Sequence, residues 1–310
     1  LNLFYKQIEF LFISESKRTR IANKNVLYAL ITKFISVLLS LLTVPITLSY
    51  INKEEYGIWM IIASIIIWLN LFDIGIANGL RNKLAEAVAV KNIKLAKVYI
   101  SSSFAVITLI SFVLFIIIYF TSNYINWQLI FNTKTITNLE FKNIIIGVSL
   151  FFCLDFIMRV FSSILQALQH YYINDIMNLS SQIFGILGIL LIINFTESNL
   201  LLLCILFASK TSIITIFFSI YLFNSKLKKY RPNFSEIKIK LSLPLFNLGF
   251  KFYFIQILFL IITNSSLFLV AQFFGPTDVT VFNLGLQYMT FGSQVSPVAP
   301  GKVAKVLSSA

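Results

Sequence analysis

The side chains of this sequence that could do chemistry are a few cations inside long apolar runs. Lys33, Arg159, Lys210 and Lys251 each lie in a different stretch that is otherwise hydrophobic. Ionisable groups inside membrane-spanning segments are costly and rare, and they usually face a cavity or a partner. Cations at such depth would match the charge of an anionic ligand that has lost its water. Since a long lysine side chain can also reach toward the membrane surface, each one alone is ambiguous.

Hydroxyl side chains follow Lys33 at helical spacing. Ser36, Ser40, Thr43 and Thr47 recur every three or four residues. On a helix they fall with Lys33 within an arc of about 80°. Such a stripe could serve only to hydrogen-bond neighbouring helices. With a lysine at its head, we expect the stripe to line a cavity.

Polar residues also gather near the end of the second apolar run. Asn70, Asp73 and Arg81 are predicted to lie on one side of that helix. Arg81 is therefore a further candidate for the cationic site, and Asn70 for its polar face. Asp73 and Asp155 are candidates for ion coupling. Both have a structural alternative, since Asp73 could pair with a nearby cation and Asp155 with Arg159, four residues later on a helix.

Motifs for enzyme chemistry and for cofactors are absent from the sequence. There is no phosphate-binding glycine loop, no nucleophile-elbow motif and no histidine and cysteine cluster with metal-ligand spacing. The single histidine, His170, stands in a short polar turn, and the two cysteines, Cys153 and Cys204, lie in apolar runs, as buried cysteines do. We therefore expect no enzyme activity, no cofactor and no metal.

The elements that position these residues must be membrane helices. Of 310 residues, 58% are hydrophobic and 12% are charged, whereas soluble domains carry about 25% charged residues. The mean hydropathy is +0.86. Seven runs reach the length of about 20 residues that crosses a bilayer, and they fall near 26–50, 56–78, 98–121, 143–167, 172–194, 199–223 and 245–272, with an eighth beginning near 279. Because period-two alternation is absent, all are interpreted as helices, which predicts an all-α polytopic membrane protein.

The charges between these runs predict the orientation. Sixteen Lys and Arg residues lie in the N-terminal segment, in 79–97 and in 224–244, whereas three lie on the opposite side. Positively charged loops remain in the cytoplasm, so we expect a cytoplasmic N-terminus. The same placement explains most of the net charge of +13 without a nucleic-acid partner.

Several stretches carry a family resemblance. VPITL at 44–48, YINKEEYGIW at 50–59 and LFDIGIANGLRN at 71–82 are the most specific, and NLGFKFY at 247–253 and VAQFFGP at 270–276 follow later. Together they resemble the bacterial polysaccharide flippases, the O-antigen translocase branch of the multidrug/oligosaccharidyl-lipid/polysaccharide exporter superfamily. The resemblance runs from about residue 23 to 290.

The resemblance implies two six-helix lobes around a central cavity, in which cations hold the diphosphate of a polyprenyl-linked oligosaccharide. Alternating access would carry the sugar from the cytoplasmic to the outer leaflet of the bacterial inner membrane, for O-antigen of lipopolysaccharide or a related surface polysaccharide. The implied partners are this lipid-linked oligosaccharide, membrane lipids and, as a candidate, a polysaccharide polymerase. Segments 50–59 and 273–282 would form equivalent outward turns of the two lobes.

About eight spans would make one complete lobe and the start of another. We expect a cytoplasmic amphipathic lead-in, a six-helix N-lobe, a basic cytoplasmic inter-lobe loop, the first two helices of an incomplete C-lobe and an atypical tail. These units cover residues 1–25, 26–223, 224–244, 245–295 and 296–310, in that order. A chain divided in this way is not expected to complete the transport cycle alone.

Three other functions stay open. A drug or ion antiporter of the same superfamily would favour acidic cavity residues for a cationic substrate, and the excess of buried cations speaks against it. A membrane-embedded polysaccharide polymerase should expose a large polar loop, and the outward loops are short. A scaffold without transport activity is the remaining alternative.

Overall fold

The computed structural model describes residues 17–69, 76–238 and 265–295. Every regular element within these ranges is a helix, so the prediction of an all-α chain is confirmed. Short 3-10 turns follow the eighth helix at Lys228–Tyr230 and Phe234–Glu236. The helices are α1 (Lys17–Tyr50), α2 (Lys53–Leu69), α3 (Ile76–Ala89), α4 (Ile93–Thr121), α5 (Trp127–Phe131), α6 (Asn138–Ala167), α7 (Tyr171–Phe195), α8 (Leu200–Asn224), α9 (described over Ser265–Phe274) and α10 (Pro276–Val295).

Five of the described helices are long and apolar enough to cross a membrane. They are the Ile31–Tyr50 part of α1 together with α4, α6, α7 and α8. These five correspond to the first, third, fourth, fifth and sixth predicted runs, and the chain is a multi-pass membrane protein. α2 and the first residues of α3 cover the described parts of the second run, and α9 covers that of the seventh. The total number of spans and the division into lobes therefore stay predictions.

Polar side chains set where several helices begin. Asn92, before α4, accepts a hydrogen bond from the main-chain amide three residues later at 3.0 Å. Asn199 does the same for α8 at 3.1 Å, and Thr137 forms a reciprocal capping box with Glu140 at the start of α6. These bonds satisfy main-chain amides that lack a partner in the first helical turn.

α6 is the centre of the bundle. It packs against α3, α4 and α8, and its side chains Phe156, Val160 and Phe161 are fully buried. Near the start of α6, Phe141 stacks on Phe131 of α5, with ring centroids 4.7 Å apart. Because apolar surface gains little by leaving lipid for another helix, close packing of this kind is a main source of association within the bilayer.

α1, α7 and α8 lie beside one another, since α7 packs against both of the others. α1 and α7 run parallel. Lys33 and Asp175, toward their N-terminal ends, line the same cavity. The hydroxyl of Tyr50, the last residue of α1, lies 3.0 Å from that of Thr196, just after α7. We call these two ends of the helix group the Lys33 end and the Tyr50 end.

Large apolar side chains are exposed on the outside of the bundle. The exposed fraction is 61% at Leu109 and Phe112 of α4, 60% at Leu191 of α7 and 66% at Phe217 of α8. Soluble proteins rarely expose contiguous apolar surface of this extent. Lipid tails solvate such side chains, and a helix keeps its own main-chain hydrogen bonds satisfied there. The exposed belt therefore fits a bilayer.

The two segments predicted to be equivalent outward turns pack on each other. A Cβ atom on Gly57 of α2 would lie 1.7 Å from the carbonyl oxygen of Pro276 at the start of α10. The Thr280 hydroxyl donates to the main-chain carbonyl of Lys53 at 2.6 Å. Since α2 and α10 meet at main-chain distance, position 57 has room only for glycine.

Candidate binding cavity

A cavity of about 550 Å³ lies between α1, α7 and α8. Three predicted site residues line it, Lys33 and Ser36 of α1 and Lys210 of α8. The remaining lining residues are all polar: Thr32, Asp175, Asn178, Ser181, Gln182 and Thr211. Ligand pockets typically measure about 300–1,000 Å³ and are mostly apolar. This cavity has an ordinary size and an unusually polar wall.

A second cavity, of about 270 Å³, continues along α1 toward the Tyr50 end. Three further residues of the predicted stripe, Ser40, Thr43 and Thr47, line it, and it shares Gln182 and Lys210 with the first cavity. The structure thus places Ser36, Ser40 and Thr43 along one continuous wall. The Thr43 hydroxyl donates to its own helix at 2.7 Å, which leaves its oxygen as an acceptor for a ligand.

Lys210 is held near the middle of α8. Its Nζ lies 4.7 Å from the centroid of the Phe207 ring, a cation–π contact. The stem crosses Gly185 of α7, where an added Cβ would lie 2.9 Å from Cδ of Lys210. No carboxylate of the described residues comes within 4.0 Å of this amine. Its charge is therefore available to an anionic ligand.

Asp175 is the cavity residue that sequence reasoning missed. It lines the larger cavity together with Lys33, a side chain of opposite charge on the neighbouring helix α1. The signal was present, because Asp175 is an ionisable residue inside a predicted span, and Asn178 and Gln182 follow at helical spacing. The sequence does not show that α7 packs against α1. With two lysines and one carboxylate, the described cavity wall keeps a net positive charge.

Arg159 and Asp155 lie on α6, away from this cavity. The Nε of Arg159 is 3.8 Å from Oδ2 of Asp155, so the helical pair expected as the structural alternative is present. The guanidinium carbon also lies 6.0 Å from the centroid of the Phe156 ring. Neither Arg159 nor Asp155 is among the residues that line the two cavities.

Of the remaining predicted site residues, only Arg81 lies in the part of the chain that the structure describes. Arg81 lies on α3, which packs against α4 and α6, and it does not line either cavity. Asn70, Asp73 and Lys251 lie outside the described residues. Their roles as polar face, ion-coupling group and cationic site stay predictions.

The two ends of the cavity differ. At the Tyr50 end, the Tyr50 hydroxyl donates to the main-chain carbonyl of Glu197 at 2.9 Å, and the Glu54 carboxylate accepts hydrogen bonds from the hydroxyls of Thr133 and Thr135. At the Lys33 end, Lys33 itself is exposed. Hydrogen bonds of the described residues therefore join α1 to the turn after α7 at the Tyr50 end, whereas the Lys33 side chain is exposed at the other end.

No group of three histidine, cysteine, aspartate or glutamate side chains able to hold a metal ion occurs in the part of the chain that the structure describes. Cys153 and Cys204 are buried free thiols. The His170 ring packs edge-on against Tyr172, with ring centroids 6.0 Å apart. What the cavity offers a ligand is charge and hydrogen bonds.

Comparison with known proteins identifies a family. A family model described as polysaccharide biosynthesis protein matches residues 22–300. The match covers most of the chain and includes α7 and α8, and nearly all of α1. No curated protein and no solved structure matches the chain.

Proposed function

Because this chain belongs to the polysaccharide biosynthesis protein family, the family of the O-antigen flippases, we propose that it translocates a polyprenyl-diphosphate-linked oligosaccharide. The direction we propose is from the cytoplasmic to the outer leaflet of the bacterial inner membrane, for O-antigen or a related surface polysaccharide. The observation that carries the proposal is the polar cavity in which Lys33 of α1 and Lys210 of α8 line one wall.

The charge of the substrate explains the need for these lysines. A diphosphate that leaves water for the interior of a membrane protein must have its charge matched by cations or hydrogen-bond donors. Lysine binds phosphate as a compact, movable point charge with three donors. The serine and threonine hydroxyls beside Lys33 add further donors and acceptors along the same wall.

The exposed apolar side chains on the outside of the bundle are consistent with a substrate that has a lipid part. A polyprenyl chain is hydrocarbon and can stay in the bilayer, while its diphosphate and sugars occupy the polar cavity. Side chains such as Leu191 of α7 and Phe217 of α8, which are 60% and 66% exposed, belong to helices that also form the cavity. A single helix of this group can therefore face lipid on one side and the polar head on the other.

The proposed orientation follows from the loop charges. With sixteen Lys and Arg residues on one side against three on the other, the N-terminus and the 224–244 loop belong in the cytoplasm. The Lys33 end of the cavity then faces the cytoplasm, where lipid-linked units are assembled. We propose that residues 26–223 form the N-lobe and that 245–295 begin the second lobe.

The test introduces substitutions into the chromosomal gene, in cells that need this protein to make surface polysaccharide. Lys33→Met and Lys210→Met, each at normal protein level, should reduce surface polysaccharide while lipid-linked repeat units accumulate inside. Lys134→Met is the matched control, because Lys134 is an exposed lysine in the loop before α6 and does not line the cavity. Normal surface polysaccharide in both cavity variants would refute the proposed function.

A further inference from the structure

One face of α7 presents a row of hydrogen-bonding side chains to the larger cavity. Asp175, Asn178 and Gln182 line this cavity, and their spacing of three and four residues places them within an arc of about 60° on the helix. From the first to the last, the row extends about 10 Å along the axis. We refer to these three residues as the α7 row.

Other polar residues of α7 account for contacts between and within helices. Asn174 donates to the main-chain carbonyl of Ser162 on α6 at 3.3 Å, and Ser181 donates to its own helix at 2.8 Å. Polar residues of that kind join neighbouring helices or bond their own backbone. Ser181 also lines the cavity, but its hydroxyl already donates within α7, whereas no hydrogen bond to another helix among the described residues accounts for the side chains of the α7 row.

Gln182 carries a buried acceptor without a described donor, as Asn174 of the same helix also does. Its Oε1 is buried, and no described residue donates a hydrogen bond to it. A buried carbonyl oxygen that lacks a donor is costly, so such atoms are usually satisfied. Gln182 and Lys210 both line the two cavities. Because the oxygen is buried, a donor on a ligand in the cavity reaches it only when the Gln182 side chain turns toward the cavity.

The row and the lysines suit different chemical groups. Lys33 and Lys210 can only donate, whereas a carboxylate accepts and a carboxamide both donates and accepts. Sugar hydroxyls also donate and accept hydrogen bonds. The side chains of the α7 row therefore suit a sugar better than they suit an anion. A phosphate near Asp175 would be repelled by its carboxylate. Lys210, which has no described carboxylate within 4.0 Å, is the better place for the charged group.

We propose that Asp175, Asn178 and Gln182 form a sugar subsite, in which Gln182 contacts the sugar next to the diphosphate and Asp175 a sugar nearer the Lys33 end. This inference rests on the proposed function and assigns a second role within the same cavity. The length of the row fits a short oligosaccharide lying along α7. Specificity for the repeat unit then resides in α7, and charge recognition in Lys210 of α8 together with Lys33 of α1.

The experiment compares two kinds of ligand on the purified full chain in lipid nanodiscs. The probes are a short-chain prenyl diphosphate, and the same prenyl diphosphate carrying glucose, galactose or N-acetylglucosamine. For the unsubstituted chain, at least one glycosylated probe should bind about tenfold more tightly than the bare one, the gain expected from one or two satisfied buried hydrogen bonds. If no glycosylated probe binds more tightly than bare prenyl diphosphate, the sugar subsite is refuted.

Substitutions then separate the two roles. Gln182→Leu and Asn178→Leu should remove most of the advantage of the glycosylated probe and leave the bare diphosphate unaffected. Lys210→Met should weaken both probes equally. Asn194→Leu is the matched control, because Asn194 is on α7, bonds its own helix and does not line either cavity.

The outcomes of failure differ for the two proposals. If Gln182→Leu and Asn178→Leu weaken both probes equally, or change neither, the α7 row is not a sugar subsite. If Lys210→Met leaves both probes unchanged while the row variants still lose the sugar advantage, the diphosphate site fails and the sugar subsite stands. Folding of each variant is checked by its elution as a single species in detergent.

Discussion

Replacing Lys210 by methionine should separate binding from stability. Methionine keeps a similar length and an apolar stem, so it can still lie across Gly185. The stem passes close to this glycine, since a Cβ added there would lie 2.9 Å from Cδ of Lys210. The substitution removes the amine that lies 4.7 Å from the Phe207 ring centroid, a contact worth about 0.5–2 kcal/mol. It also removes a cation whose insertion at mid-helix costs about 2.5–3.5 kcal/mol. We therefore expect Lys210→Met to be at least as stable as the unsubstituted protein.

Lys210→Met should weaken the binding of a diphosphate strongly, although it leaves the stability of the protein unchanged or higher. A hydrogen bond to a charged group contributes about 1.5–3 kcal/mol, and the loss of that free energy corresponds to a Kd raised about 10- to 150-fold. The assay is titration of a short-chain prenyl diphosphate into the purified protein in nanodiscs, with thermal unfolding measured on the same samples. Lys134→Met should match the unsubstituted protein in both. An unchanged Kd for Lys210→Met, or a Kd raised only in step with a lowered Tm, would refute the reasoning.

Three further predictions follow from the structure. Gly57→Ala should lower the Tm, because its Cβ would meet the carbonyl of Pro276 at 1.7 Å and overpacking costs about 1–3 kcal/mol. Gly285→Ala is the control, because Gly285 has open space around it. Equal Tm values for the two variants would contradict the close contact. Asp175→Asn should bind bare prenyl diphosphate more tightly, since a repelling charge is removed from the cavity, and weaker binding of that probe would show that the carboxylate positions Lys33. Single cysteines at Asn52 and Asn224, in a protein without Cys153 and Cys204, should react with an impermeant thiol reagent in intact cells at Asn52 only, and labelling at Asn224 alone would reverse the orientation.

The sequence predicts the helices well because the bilayer restricts the alternatives. A run of about 20 apolar residues can cross only as a helix, and α4, α6, α7 and α8 all match predicted runs. The turn between α6 and α7 was also expected, at 168–171, and α7 begins at Tyr171. Helices in charged segments, such as α3, carry a weaker apolar signal, and their packing against α6 depends on tertiary contacts.

The cavity could be predicted in part. Helical periodicity alone places Lys33, Ser36 and Thr43 on one face, and the structure lines cavities with that face. Periodicity within one helix cannot show which other helix lies opposite. For that reason the sequence does not single out Asp175, and it does not show that Arg159 lies on α6 beside Asp155, outside the wall that Lys33 lines.

The contact between α2 and α10 illustrates the same limit. The family resemblance implies that 50–59 and 273–282 are equivalent turns, but it does not imply that they touch. The touching atoms are a main-chain carbonyl at Pro276 and the space left by Gly57. In a sequence, a main-chain contact of this kind is visible only as a glycine, and glycines also occur for other reasons.

The central claim is that the cavity between α1, α7 and α8 binds the head of a lipid-linked oligosaccharide. The most direct measurement is photocrosslinking in native membranes, with a prenyl diphosphate oligosaccharide that carries a photoreactive group on its first sugar, followed by mass spectrometry of the labelled peptides. The account predicts labels within 175–182 of α7 or 209–212 of α8, competed by unlabelled ligand and lost in the Lys33→Met, Lys210→Met double variant. Labels confined to the exposed apolar face of α4 around Leu109 and Phe112, or labelling of the cavity that persists in the double variant, would contradict it.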